Sequence, residues 1–316
     1  MPRLHRQAAL GLLFLSASAL ATADGNASLF DDYRRVTAQG RATNRLDIDN
    51  DSLLFNRDDG FYSSGLRYVR EHALREGGQA TVFGWRLGQQ FYTASDIKLA
   101  PQQIGAADHP YAGWLYGGFF KETQRQDGSH LRYGFDLGCL GPCAGGNRTQ
   151  TSLHRLINQP LPQGWSRQVR NEVGAILYAE AAPLRLKVAS WLDATPVLHG
   201  RFGNIHTDAG AGVTFRAGQL PAFADDAGLH AYLRLDATAV AYNATLQGGY
   251  FSSNNPHTVK PKRAVGEAEL GLAWRAGAYG VTGAVVRRSN EIDALPNSRG
   301  TQNFVRLMFI YTPGAP

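Results

Sequence analysis

Alternation of apolar and polar side chains with period two, sustained over runs of ten residues or more, is what most constrains this chain. Between Thr81 and Phe91 one face carries Thr81, Phe83, Trp85 and Leu87, and the other Val82, Gly84, Arg86, Gly88 and Gln90. Between Ala264 and Arg275, Leu270, Leu272 and Trp274 oppose Glu267, Glu269 and Arg275. Leu229 to Ala239 sets leucines and alanines against His230, Tyr232, Arg234, Asp236 and Thr238. Near the C-terminus Val305, Leu307, Phe309 and Tyr311 oppose Arg306. Such dyads mark strands with one apolar and one polar face.

About twelve strands are expected, near 44–50, 62–71, 80–92, 112–122, 129–140, 171–182, 187–199, 204–217, 229–242, 263–276, 279–289 and 302–312. Several are longer than strands of soluble proteins usually are. Charged residues are only 18% of the chain, too few for a disordered polymer. No apolar run beyond the first 25 residues is long enough for a membrane helix.

The N-terminus reads as a secretory signal peptide over residues 1–23. Arg3 and Arg6 precede an apolar stretch from Ala8 to Leu15, and Ala21-Thr22-Ala23 forms a small-x-small cleavage site. Loss of Arg3 and Arg6 lowers the net charge from +6 to +4. The remaining basic residues are scattered, so no nucleic-acid arm is expected. Export, strand length and alternation together point to an all-β protein. The expected fold is a transmembrane antiparallel β-barrel of about twelve strands over residues 24–316, crossing the bacterial outer membrane many times. A secreted β-sandwich is the alternative. Cys139 and Cys143 flank Leu-Gly-Pro, and in an exported chain a disulfide between them is the default.

One segment breaks the strand pattern. Asn147 to Asn158 reads as a short extracellular loop helix, capped by Asn147 or Thr149 and stopped by Pro160 and Pro162. Gln150 and His154 share one face. Leu153, Leu156 and Ile157 form an apolar stripe expected to dock on the barrel. No Gly-x-Ser-x-Gly elbow is present, so a histidine without a nucleophilic partner suggests activation of water. Asp47, Asp49, Asn50 and Asp51 crowd the end of the first strand. They read either as a solvated turn or as oxygen donors for a hard cation such as calcium.

Asp49-Asn50-Asp51 followed by Gly60-Phe61-Tyr62-Ser63-Ser64-Gly65-Leu66-Arg67 resembles the opening of the LpxR-type lipid A deacylases. So do Gly88-Gln89-Gln90-Phe91-Tyr92-Thr93, Asp108-His109-Pro110-Tyr111-Ala112-Gly113-Trp114, and Leu137 to Pro142 with Gln150, His154, Gly164-Trp165, Gln168 and Asn171-Glu172. The resemblance spans residues 44 to 172.

It implies an outer-membrane enzyme that removes the 3′-acyloxyacyl group of lipid A with calcium (Ca2+). Its site would lie between the barrel wall and the loop helix. It implies His154 as general base and Gln150 as its companion, with Asn50 and Asp51 serving catalysis and calcium. Ser63 stands where the family often has Thr and keeps the hydroxyl. His109 stands where Arg is common. Lys98 is a candidate contact to a phosphate of lipid A, the partner being lipopolysaccharide. The rival readings are a non-enzymatic porin-like barrel, motivated by Arg86, Glu267, Glu269 and Arg275, and an esterase acting on phospholipid.

Overall fold

Thirteen strands build the wall of the protein in a computed structural model that describes residues 28–54 and 60–314. The expected signal peptide lies outside the described residues. The strands are β1 (Arg41–Asn50), β2 (Phe61–Glu76), β3 (Gln79–Thr93), β4 (Ala112–Arg125), β5 (His130–Leu140), β6 (Glu172–Ala182) and β7 (Leu186–Ala189). They continue with β8 (Leu192–Gly203), β9 (His206–Gly218), β10 (Gly228–Asn243), β11 (Ala264–Ala276), β12 (Tyr279–Arg288) and β13 (Gln302–Tyr311). Each pairs antiparallel with its sequence neighbour except across β6–β7, and β1 also pairs with β13 while β6 pairs with β8. Those two seams close the sheet into a barrel.

The barrel has twelve staves. β6 and β7 lie end to end beside β8, with Ala181 opposite Leu198 and Leu186 opposite Ala194. The expected strand at 187–199 is thus two strands joined by a hairpin, because Ser190 and Trp191 form its turn. Closure gives every wall strand two partners except the short β7, which pairs only with β8 near the inner end. The long connections (51–60, 94–111, 141–171, 244–263 and 289–301) all leave one end of the barrel, the outer end in proteins of this architecture.

The apolar faces point outward to lipid. Leu87, Leu137, Leu177, Leu198, Leu270 and Leu272 are each more than half exposed. The polar faces fill the lumen with ion pairs. Arg86 binds Asp136 at 2.8 and 2.6 Å, Arg216 binds Asp193 at 2.7 Å, and Arg288 binds Glu267 at 2.8 Å. Arg306 joins Asp49 at 3.0 Å and also contacts Glu269. Paired charges of this kind occupy the space through which a porin would conduct.

The acidic cluster of β1 is resolved the same way. Asp47 and Asp49 point inward, where Arg45 (3.1 Å) and Arg67 (2.6 Å) meet Asp47, while Arg306 and the Tyr62 hydroxyl (3.0 Å) meet Asp49. Arginines therefore relieve the expected repulsion, and Asp51 is the member of the cluster left at the rim.

Helix α1 (Leu29–Gln39) had no counterpart in the sequence reading. Ser28 caps it by accepting the Asp31 N–H at 3.2 Å, and Asp31 and Asp32 complement its N-terminal dipole. It lies on the outside of the wall near the inner end, covering Phe83 with Tyr33 and pairing Asp32 with Lys121 at 3.0 Å. The 219–227 loop folds across the inner mouth. There Arg75 engages Asp225 and Asp226, and its guanidinium sits 4.4 Å from the Phe223 ring.

Two outcomes follow. In planar bilayers the protein is expected to show no steady open-pore conductance; a stable ohmic channel would contradict the filled lumen. Arg306→Ala leaves Asp49 and Glu269 without their shared cation and should cost about 3 kcal/mol of stability. The check is a lower denaturation midpoint in detergent.

Candidate active site at the outer rim

The outer end of β1 begins the site. Asn50 is the last residue of the strand, opposite Ser64 of β2. The β2–β3 ladder slips between Tyr62 and Ser64, so Ser63 is bulged. A bulge turns one side chain away from the regular alternation. Here it aims Ser63 at Thr93 of β3, with the hydroxyls 2.6 Å apart and Ser63 buried. The Ser63 carbonyl accepts the Asp51 N–H and the Asn50 side-chain amide, each at 3.5 Å. Asp51 is buried, and its Oδ2 accepts the Gly60 N–H at 3.0 Å. Phe61, at the start of β2, holds a left-handed backbone with φ 65°, uncommon for a residue with a side chain. Asn50, Asp51 and Ser63 are thus brought together by one strand end and one bulge.

Helix α2 (Gly146–Leu156) carries Gln150 and His154 and packs on β3 and β4. The Cys139–Cys143 disulfide and a 3₁₀ turn at Pro142–Ala144 deliver the chain to it. Its N-cap is Gly145 in the left-handed conformation (φ 69°), without a side-chain cap. This corrects the expected cap at Asn147 or Thr149; Asn147 instead accepts the Thr151 hydroxyl at 3.1 Å. The helix rests on the outer face of β3 and β4. Gln89 of β3 donates to the Ala144 carbonyl at 2.6 Å, and a Cβ on Gly113 would lie 3.1 Å from that of Ala144.

The face turned to the wall is the polar one. Gly146, Gln150 and His154 are buried, whereas Leu153, Leu156 and Ile157 are exposed, Leu156 at 83%. The expectation that the apolar stripe docks on the barrel is therefore inverted. The seat explains it: Gln89 of β3 and Pro160 and Trp165 of the loop after the helix offer polar partners, while the opposite side faces outward. Trp165 donates its indole N–H to the Gln150 carbonyl oxygen at 2.9 Å. Its ring stands edge-on to Phe91 and Tyr111. His154 Nδ1 lies 2.6 Å from the Pro160 carbonyl, an acceptor, so Nδ1 carries the proton and Nε2 is the basic nitrogen. Pro160, read in the sequence as a helix stop, also orients the imidazole.

The loop between β3 and β4 completes the rim. Asp108 accepts from the Ser95 N–H, the Ser95 hydroxyl and the His109 N–H at 2.9, 2.8 and 2.7 Å. His109 is 1% exposed and stacks on Tyr92, ring centres 5.4 Å apart. Burial lowers its pKa and favours the neutral ring, held by the Pro110 carbonyl at 2.6 Å. It is a packing residue. Lys98 is exposed in the same loop, its N–H bound to Asp96 at 2.8 Å. A cavity of about 720 Å³ opens beside Asp51, bounded by Phe61, Ser95 and the 105–108 turn on one side and residues 295–303 on the other. Neither Lys98 nor His154 is on its lining.

Among the described residues no three His, Cys, Asp or Glu side chains gather as a metal group. The donors at the strand end are all oxygens: the Asp51 carboxylate, the Asn50 amide oxygen and nearby carbonyls. That set fits a hard cation in kind.

A family model described as "Outer membrane protein LpxR" matches residues 9–312. Among solved structures, LpxR from Salmonella typhimurium is similar over 85% of this chain and 99% of its own, with 17% identity and a TM-score of 0.71. The β domain of the Bordetella autotransporter BrkA is similar over 86% and 98%, with 12% identity and a TM-score of 0.48. No curated protein matches.

Gly146 lets the helix approach Trp165, since a Cβ there would sit 2.5 Å from the indole. Gly146→Val should push α2 from its seat, read as faster hydrogen exchange over 146–156 with the barrel amides unchanged. Unaltered exchange would show that the close contact does not set the helix position.

Proposed function

The chain belongs to the LpxR family of outer membrane proteins, and on that premise we propose that it is a lipid A deacylase hydrolysing the 3′-acyloxyacyl ester. The observation that carries the reading is the burial of Gln150 and His154 against the barrel wall while the apolar side of the same helix faces outward. Lipid can take the apolar side of any helix seated here, so the residues on the contact face are what informs. This one spends its contact face on a base and an amide at the level of the outer leaflet, where lipid A resides.

In the reaction the ester is cleaved by water. His154 Nε2 takes a proton from the water as it attacks the acyl carbonyl, and returns it to the departing sugar oxygen. The products are a free acid and a 3′-hydroxyl. Pro160 holds Nδ1–H, which fixes the tautomer and steadies the imidazolium as it forms. Because Trp165 engages the Gln150 oxygen, the Gln150 NH₂ is presented as a donor toward the acyl group.

Asn50 and Asp51 would hold Ca2+, with main-chain carbonyls completing its oxygen shell. When bound, calcium supplies positive charge to the developing oxyanion. The Ser63–Thr93 hydroxyl pair keeps the bulge in place beneath Asn50 and Asp51. Lys98, exposed in the neighbouring loop, is retained as a contact to the lipopolysaccharide headgroup.

Purified protein given lipopolysaccharide and calcium should yield lipid A lighter by one acyloxyacyl unit in mass spectra. Chelation should stop the reaction and added calcium restore it. His154→Ala should lower turnover by about 10²–10⁴-fold, the usual worth of a general base, while its migration on gels stays that of a folded barrel. Unchanged acylation by the wild type, or full turnover by the variant, would defeat the assignment.

A further inference from the structure

The wall is not equally tall all round. β1 ends at Asn50, level with Ser64 of β2 and Val305 of β13. Both neighbours continue outward, β2 as far as Phe61 and β13 as far as Gln302. Among the described residues no strand pairs in the space above Asn50, where the Ser52–Leu54 turn packs against β13, and this leaves a notch in the ladder. The Tyr62 N–H reaches across this notch to the Gln302 side chain at 3.2 Å. The 720 Å³ cavity lies at the notch, with Asp51 on one side and Arg287, Ser298, Arg299, Thr301 and Asn303 on the other. Its volume is that of a small-molecule site. It suits a phosphorylated sugar rather than a whole lipid.

We propose that Arg287 and Arg299 form a subsite for a phosphate group of the lipid substrate, entered from the outer leaflet through the notch. This rests on the lipid A reading above. Arg288, the next residue, points into the lumen and pairs with Glu267 and Glu291. Arg287 points the other way and is exposed. Its hydrogen bond is to Asn303, at 3.3 Å. Among the described residues no carboxylate pairs with Arg287 or Arg299.

Two residues nearer the membrane centre, Val285 is a half-exposed lipid-facing side chain. An arginine at bilayer depth is costly, but near the interface the cost falls away. There lipid phosphate is a counter-charge that its fork can bind with two parallel hydrogen bonds. The Ser298 hydroxyl adds a neutral donor, whereas that of Thr301 already donates to the Asn297 carbonyl at 2.8 Å. Of the acidic groups on the lining, Asp108 takes three donors from Ser95 and His109, and Asp51, the carboxylate assigned above to calcium, takes the Gly60 N–H.

The test measures binding rather than turnover, so it can succeed even if the deacylase reading fails. Wild type in zwitterionic micelles is titrated by thermophoresis with lipid A carrying its phosphates, with enzymatically dephosphorylated lipid A, and with inorganic phosphate. The phosphorylated lipid should bind about tenfold more tightly than the dephosphorylated one, the worth of one charge-assisted bond. The double variant Arg287→Ala/Arg299→Ala should bring the two lipids within about twofold of each other, with Arg287→Lys/Arg299→Lys recovering part of the preference. No preference in wild type, or an undiminished preference in the alanine variant, would overturn the subsite. Arginine-dependent binding of inorganic phosphate without discrimination between the lipids would make the pair a site for the free ion and overturn it too.

Discussion

Backbone hydrogen bonding in lipid is the constraint on which everything else here depends. With no water in the bilayer core, each wall strand must find two partners. Closure at β1–β13 and β6–β8 meets that demand for every strand but the short β7 at the inner end. The demand relaxes only where the wall rises above the hydrocarbon. There β1 can stop early, Ser63 can bulge, and Phe61 can hold a left-handed backbone. All three irregularities gather at one rim, beside Asp51. Irregular backbone is concentrated where the environment can tolerate it, and the candidate chemistry occupies the same place.

The charged lumen has a complementary role. Arginine-carboxylate pairs line the inner face from Asp47 on β1 through Asp193 on β8 to Arg306 on β13. Ion pairs are weak evidence for net stability, since desolvation offsets much of their attraction. What they do is hold the interior shut and rigid, so that the loops at the outer end stand on a fixed base. Arg306 illustrates the economy. It reaches across β1 and β11 from β13, and so links the closing seam to the rest of the wall.

Much of the wall was legible in the sequence because lipid and lumen impose opposite preferences on successive side chains. Leu270, Leu272 and Glu269 could be sorted from alternation alone. The position of the site was legible through residue types, Gln150 and His154 four apart and Asn50 beside Asp51. Its assembly was not. Nothing local reports that Asp47 and Asp49 meet arginines from β2 and β13, because those partners are 20 and 257 residues away. The bulge at Ser63 depends on the register of two strands, which alternation of one cannot reveal. Nor could the break between β7 and β8 be seen, since both halves keep the same strand-like pattern across Ser190 and Trp191.

The orientation of α2 is the most instructive reversal. An apolar stripe on a helix normally marks its buried side, because burial against protein is the usual escape from water. At a membrane surface lipid offers a second escape. Leu153, Leu156 and Ile157 can leave water by facing the outer leaflet, which frees the opposite face to carry Gln150 and His154 against the wall. The same physics that misleads a reading made for soluble proteins thus explains how a base can be held at a lipid surface. The helix is anchored on its polar side by Trp165 and Pro160. On its apolar side it rests in the medium from which a lipid substrate must come.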